Sequence, residues 1–272
     1  SKALNMYEKA LDLAPSDPRV LERAIALYKE KDDYEAVLRC KKNILKGATD
    51  DEVKQDVAEE IGDLLTQKLK RPAEAVSYFN KVIELKADHR RVLNKIMEAY
   101  ILQKKWDDAI KAMGKIEDHE TDPTHRARLH YTAAVIYRDE LNRPKDAAHH
   151  FDQALVKDPT NRRAFEALKK LYTDQGNFKG LAKAYRLMLQ RLPEETPKAE
   201  QEALWHELGD ICQHKLHDAK GAIVAYEVAA KLNPANEARQ ELLAQLYATA
   251  GPDAYEKAIV ANQRRLRSNP LR

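Results

Sequence analysis

The chain has 272 residues, 33% charged and 43% hydrophobic, with 47 basic against 44 acidic side chains and a net charge of +3. That composition excludes a disordered segment, and with 8 Gly it argues against an all-β sandwich built on turn glycines. No uncharged run approaches the ~18 residues of a membrane span, and a charge so nearly balanced gives no nucleic-acid signature on its own.

Taken in chain order, the sequence reads as a series of helical hairpins. It opens at Ser1 inside a helical pattern and stops at Pro270, Leu271, Arg272, so it is expected to be a piece of a longer protein. Residues 1–15 are predicted to be a half repeat, followed by full repeats over 16–49, 50–87, 88–121, 122–159, 160–193, 194–234 and 235–270. One small or apolar residue opens the second helix of each unit: Ala3, Val37, Ala75, Ala109, Ala147, Leu181, Ala222 and Ala258, at steps of 34, 38, 34, 38, 34, 41 and 36. A period near 34 marks a helix–turn–helix solenoid unit. Above it runs a longer period of 72, carried by Tyr28, Tyr100 and Tyr172, by Tyr34, Trp106 and Phe178, and by Arg19, Arg91 and Arg163.

The longer steps are predicted to hold one extra residue in the turn within the repeat (68–72 and 140–144). The remainder is assigned to acidic connections at 46–52, 117–123 and 192–197. All 11 prolines fall outside helix interiors, where one would cost about 3 kcal/mol. Ser16, Asp88 and Thr160 are predicted N-caps, each worth about 1 kcal/mol. Ala147, Phe151, Ala154 and Leu155 share one helix face, and such faces are buried only by neighbouring repeats.

These features resemble the tetratricopeptide repeat family. Its pattern of Trp-x2-Leu-Gly-x2-Tyr, Ala-x3-Phe-x2-Ala and Pro is matched by Trp205, Leu208, Gly209, Ala222, Tyr226, Ala229 and Pro234, with Cys212 in place of the Tyr. A second copy reads Ala134, Tyr137, Ala147, Phe151, Ala154, Pro159, and a third Gly62, Ala75, Phe79, Val82. The resemblance covers essentially the whole chain. It implies an all-α fold, a right-handed superhelical solenoid of about seven full repeats behind a leading half repeat.

The resemblance further implies a concave groove lined by recurring positions of each first helix. Carried over, these are Arg19 in the first full repeat, Asp63 in the second, and Arg91, Asn94 and Glu98 in the third. The fourth gives Arg128, Tyr131 and Arg138, the fifth Arg163 and Lys170, and the sixth His206 and Asp210. Arg19, Arg91, Arg128 and Arg163 form a ladder near helix N-termini, where a cation is locally unfavourable. Two readings stay open for it: capture of a partner's carboxylates, or pairing with an acid on the neighbouring helix. Ile101, Leu102, Tyr131 and Val135 suit either a partner's apolar side chains or packing against the next repeat. Some family members clamp a C-terminal carboxylate with Lys-x3-Asn, Asn and Lys-x3-Arg on successive first helices. Arg90 and Asn94 echo only the first element, so that ligand is not predicted.

The sequence offers no phosphate-cradling glycine loop and no G-x-S-x-G elbow. His149 and His150 are adjacent and point about 100° apart on a helix. His214 and His217 lack a predictable third ligand. Cys40 and Cys212 read as free thiols on different helices. No catalytic residue, metal site or cofactor is therefore predicted. The leading expectation is a non-catalytic scaffold that binds a protein or peptide segment. The alternatives are an RNA-binding helical repeat, disfavoured by acids along the groove, or the repeat arm of a larger enzyme. Acidic connections and basic turns also leave room for self-association edge to edge, or through exposed array ends. The sequence does not fix the compartment; the cytoplasm is slightly favoured, and an upstream signal peptide stays compatible with a truncated start.

Overall fold

The structure is a computed structural model that describes residues 17–249, together with residues 6, 7, 9, 10, 259, 260 and 263. The rest of the half repeat, the cap at Ser16, and most of the second helix of the last repeat lie outside the described residues. So do Ala3, Pro15, Pro252, Ala258 and Pro270.

The chain divides into two compact units, residues 1–121 and 122–272. The first contains α1 (Pro18–Glu30), α2 (Tyr34–Gly47), α3 (Asp51–Gln67), α4 (Pro72–Leu85), α5 (Arg90–Leu102) and α6 (Trp106–Asp118). The second contains α7 (Pro123–Asp139), α8 (Pro144–Lys157), α9 (Arg162–Asp174), α10 (Phe178–Arg191), α11 (Lys198–Asp210), α12 (Ala219–Leu232) and α13 (Glu237–Thr249). A π-helical turn, Ile211–Lys215, prolongs α11. All regular structure among the described residues is helical, and within each unit every helix packs on the next in sequence, the arrangement of an α-solenoid.

Two hairpin lengths alternate. The first helices α1, α5 and α9 have 13 residues, whereas α3 and α7 have 17. At 46–52 and 117–123 the longer spacing therefore arises mainly from one added helical turn, which corrects the expectation that these acidic connections hold it, whereas 192–197 does lie between helices, from Arg191 to Lys198. In α3, Asp51 and Glu52 sit in the first turn, where carboxylates face the positive end of the macrodipole and favour helix over loop; α7 opens instead on Pro123 after the Asp122 cap.

Each length has its own turn. In the short form the carbonyls of Tyr28, Tyr100 and Tyr172 accept from the amides of Asp33, Lys105 and Asn177, at 3.0, 2.9 and 2.9 Å. The tyrosines that recur every 72 residues thus share one backbone position of the short form. In the long form Leu65, Tyr137 and Cys212 accept from Arg71, Arg143 and Asp218, at 2.7, 2.7 and 2.8 Å. All six turns pass through one left-handed residue: Asp32, Lys70, Lys104, Asn142, Gly176 or His217, with φ between 49° and 63°. For any residue but glycine this conformation costs roughly 1 kcal/mol. Lys104→Gly should accordingly raise the unfolding free energy by about 0.5 kcal/mol after glycine's own entropy is charged, read as a higher urea midpoint. Gly176→Val should lower it.

Beyond each turn the second helix starts with the same bond. The amides of Val37, Ala75, Ala109, Ala147, Leu181 and Ala222 donate to the N-cap carbonyl four residues earlier. All six side chains are buried, which is why the position admits only small or slim apolar residues. Pro18, Pro72, Pro123 and Pro144 each occupy the first position of a helix, where no amide hydrogen is needed. The caps fall one residue later than expected. Asp17 and Asn161 accept from backbone amides of α1 and α9, and His89 caps α5 without a side-chain bond. The residue before the cap serves the preceding turn instead, as when the Asp88 carbonyl accepts from Arg90 at 2.8 Å.

The cores are built by facing small and large residues. A Cβ on Gly62 would fall on the Phe79 ring, and one on Gly209 would lie 2.5 Å from Tyr226. Ala134 and Phe151 occupy the equivalent places between them in sequence, and both are fully buried. Cys40 and Cys212 are free and buried on separate elements, and burial pushes both thiols up.

Candidate functional site

In the first unit the candidate residues on α3 and α5 close into an ionic cluster. Glu59, which is 6% exposed, accepts from Arg91 Nη2 at 2.7 Å and from Lys95 Nζ at 2.6 Å. Lys95 also reaches Asp63 at 2.7 Å, and His89 Nε2 lies 3.9 Å from Glu59. Burial alone would raise the Glu59 carboxyl, but the hydrogen bonds and charges of Lys95 and Arg91 outweigh it and hold it below the ordinary glutamate range. The stabilisation is thus complete above the unfolded value of about 4.3 and is lost as pH falls through the lower folded one. Arg91 and Asp63 are brought together by Glu59, itself a groove position that the family resemblance implies for the second repeat, and by Lys95, which sequence reasoning did not single out. Asn94 turns back to the Arg90 carbonyl at 2.9 Å, while Glu98 and Arg19 are exposed.

In the second unit Tyr131 and Arg138 gather around one ring. Tyr131 meets Phe151 edge-on at 5.6 Å, and the Arg138 guanidinium lies 5.7 Å from the same ring while binding Asp139 at 2.7 and 2.8 Å. Tyr131 and Val135 pack against the core, whereas Leu102 of the first unit is 65% exposed and Ile101 half-buried. Lys170 pairs with Asp174 along its own helix at 2.8 Å.

His206 and Asp210, both half-buried, belong to a larger network that includes the buried Arg239 and Tyr226 and also Glu202. Asp210 accepts from the Tyr226 hydroxyl at 2.5 Å, and His206 Nδ1 accepts from Arg239 Nε at 3.4 Å. Arg239, 3% exposed, also donates to Glu202 at 2.6 Å and to the Ala229 carbonyl at 3.0 Å. Burial and the Asp210 carboxylate push the Tyr226 hydroxyl well above its ordinary value, so it stays protonated as a donor.

The arginine ladder therefore divides. Arg91 is committed to Glu59. Arg19, Arg128 and Arg163 are exposed and join no ion pair among the described residues; Arg128 makes only a 3.5 Å bond to the Thr124 carbonyl. Several of the edge charges also have local tasks. Asp50 and Asp122 cap helices, Arg143 binds Asp146 at 2.8 Å, and Arg71 pairs with Glu35. Among the described residues no helix is long and apolar enough to cross a membrane.

A family model described as tetratricopeptide repeat matches residues 57–89, from within α3 to the cap of α5. Among solved structures the chain is similar to the C-terminal part of a TPR repeat-containing protein from Cytophaga hutchinsonii, at 14% identity over 88% of this chain and 93% of that one, with a TM-score of 0.44. It is also similar to a tetratricopeptide repeat protein from Parabacteroides merdae, at 13% identity over 89% and 97%, with a TM-score of 0.43. A third is YrrB, described as a TPR protein with an unusual peptide-binding site, at 14% identity over 70% and 93%, with a TM-score of 0.37. No curated protein matches the sequence. The match at 57–89 supports the tetratricopeptide resemblance and, with it, a repeat scaffold for protein interaction.

Proposed function

We propose that the chain is a non-catalytic scaffold whose second unit holds an acidic peptide segment along its first helices, with Arg128 and Arg163 as the carboxylate-binding groups. The observation that supports this reading is their freedom. Both guanidiniums stand exposed without a carboxylate partner among the described residues, whereas Arg91, in the corresponding place on α5, is already used by Glu59. An unpaired guanidinium offers a planar fork of donors that matches a carboxylate in two-point geometry. Apolar side chains of the peptide would lie against the partly exposed ring of Tyr131.

The test is selection of binding peptides from a random display library, followed by affinity measurement. Selected peptides should be rich in Asp and Glu, and Arg128→Glu with Arg163→Glu should weaken binding about ten-fold or more, as loss of charge-assisted bonds does. Arg91→Gln should leave affinity unchanged. Peptides without acidic enrichment, or equal binding by the double variant, would remove the assignment.

A further inference from the structure

A recess of about 490 Å³ lies between α10, α11 and α12 of the second unit, and it shares no residue with the surface just described. Its apolar walls include Trp205 and Val224, the latter 57% exposed. Gly221 forms part of the lining, and a Cβ there would fall on the Asp218 carboxylate and lie 3.2 Å from the Cys212 sulfur. Two cations, Arg186 and Lys220, stand in the lining, and neither forms an ion pair among the described residues. The contact recorded for Arg186 is a long bond to Cys212 Sγ at 3.7 Å, which leaves most of its donors unused. The one acid in the lining, Asp218, accepts from the Gly221 amide through one oxygen at 2.9 Å, and the two cations outnumber it.

We infer that this recess binds a small amphipathic carboxylate, its aliphatic or aromatic body against Trp205 and Val224 and its carboxylate on Arg186 and Lys220. The volume falls within the range of small-molecule sites, roughly 300–1,000 Å³, and a mostly apolar wall with a few convergent polar groups is their usual make-up. Charge selects among ligands. A cation would face two like charges, and a neutral molecule would leave both cations unanswered. A carboxylate gives each an opposite charge and accepts from both.

The sequence supplies a reporter, because Trp106 and Trp205 are its 2 tryptophans and Trp106 belongs to the other unit. In the Trp106→Phe protein all indole emission comes from the recess. Titration with decanoate should change that emission saturably. Decanol should bind about ten-fold more weakly or worse, and Arg186→Gln with Lys220→Gln should weaken decanoate by a similar factor, the expected loss of bonds to a charged group. Val224→Glu should abolish the response. Arg186, Lys220 and Val224 are exposed, so these variants should keep the parent's circular dichroism and melting temperature. No saturable change, or equal affinity for decanol and decanoate, or equal affinity in the parent and the double variant, would overturn the assignment. Arg128→Glu and Arg163→Glu should leave decanoate binding unchanged, so this site stands or falls apart from the peptide surface.

Discussion

Truncation of Phe151 to Ala should lower the unfolding free energy by about 3–5 kcal/mol, read from urea unfolding followed by circular dichroism. The ring is fully buried, packs against Ala134 across its own hairpin, and carries Tyr131 edge-on and Arg138 above it. Its loss leaves a cavity that the rigid helices cannot fill, and it releases two side chains that owe their positions to it. Phe79 and Tyr226 hold the same place in their hairpins, which gives a sharper form of the experiment. Sixteen residues before Tyr226 stands Asp210, which accepts its hydroxyl; the corresponding residue is Asp63 for Phe79 but Val135 for Phe151. Phe79→Tyr should therefore cost little, whereas Phe151→Tyr buries a hydroxyl without an acceptor and should cost about 1–3 kcal/mol.

Arg239→Ala should cost about 3 kcal/mol, as removal of one partner from a buried ion pair does. The guanidinium joins Glu202 on α11, the Ala229 carbonyl on α12 and His206, so a single side chain ties α13 to the hairpin before it. Amide exchange should accordingly quicken in α13 before it does in α11 or α12. The bond from Arg239 holds the Glu202 carboxyl below its ordinary range, against an opposing effect of burial and with help from Asn233. A lowered folded value means stability that is present above about pH 4.3 and lost as pH falls through the folded pKa. In the variant the decline in stability between neutral and acid pH should be shallower. Arg239→Lys should recover only part of the loss, since one ammonium cannot span three acceptors.

The periodic parts of the fold were legible in the sequence because backbone geometry imposes them locally. Tyr28, Tyr100 and Tyr172 mark one recurring place, near the end of a short first helix, where the main-chain carbonyl accepts from the next helix's cap. The series from Val37 to Ala222 recurs because each residue makes the first bond of a second helix at a crowded place. The acidic run at 50–52 misled for a physical reason: carboxylates mark solvated loops and helix N-termini alike, and here they open α3. Pairing of a ladder arginine with an acid on a neighbouring helix was one of the two readings left open, but which arginine and which acid was not legible, since the partners are separated by more than a helix. Arg91 meets Glu59 at a separation of 32 residues, and Arg239 meets Glu202 at 37. The same distance explains why four arginines alike in sequence proved unlike in surroundings, with Arg91 paired to Glu59 and Arg128 and Arg163 exposed and in no ion pair among the described residues.

Because first helices of 13 and 17 residues alternate, neighbouring hairpins are not interchangeable parts. Removal of one hairpin by gene surgery would set two of the same length side by side and strip one flank of its matching ridge. Removal or duplication of a consecutive pair restores the original neighbours at every seam. For anyone lengthening or trimming such a protein, the module to move is the 72-residue cassette, and a splice at half that interval should yield a fault line.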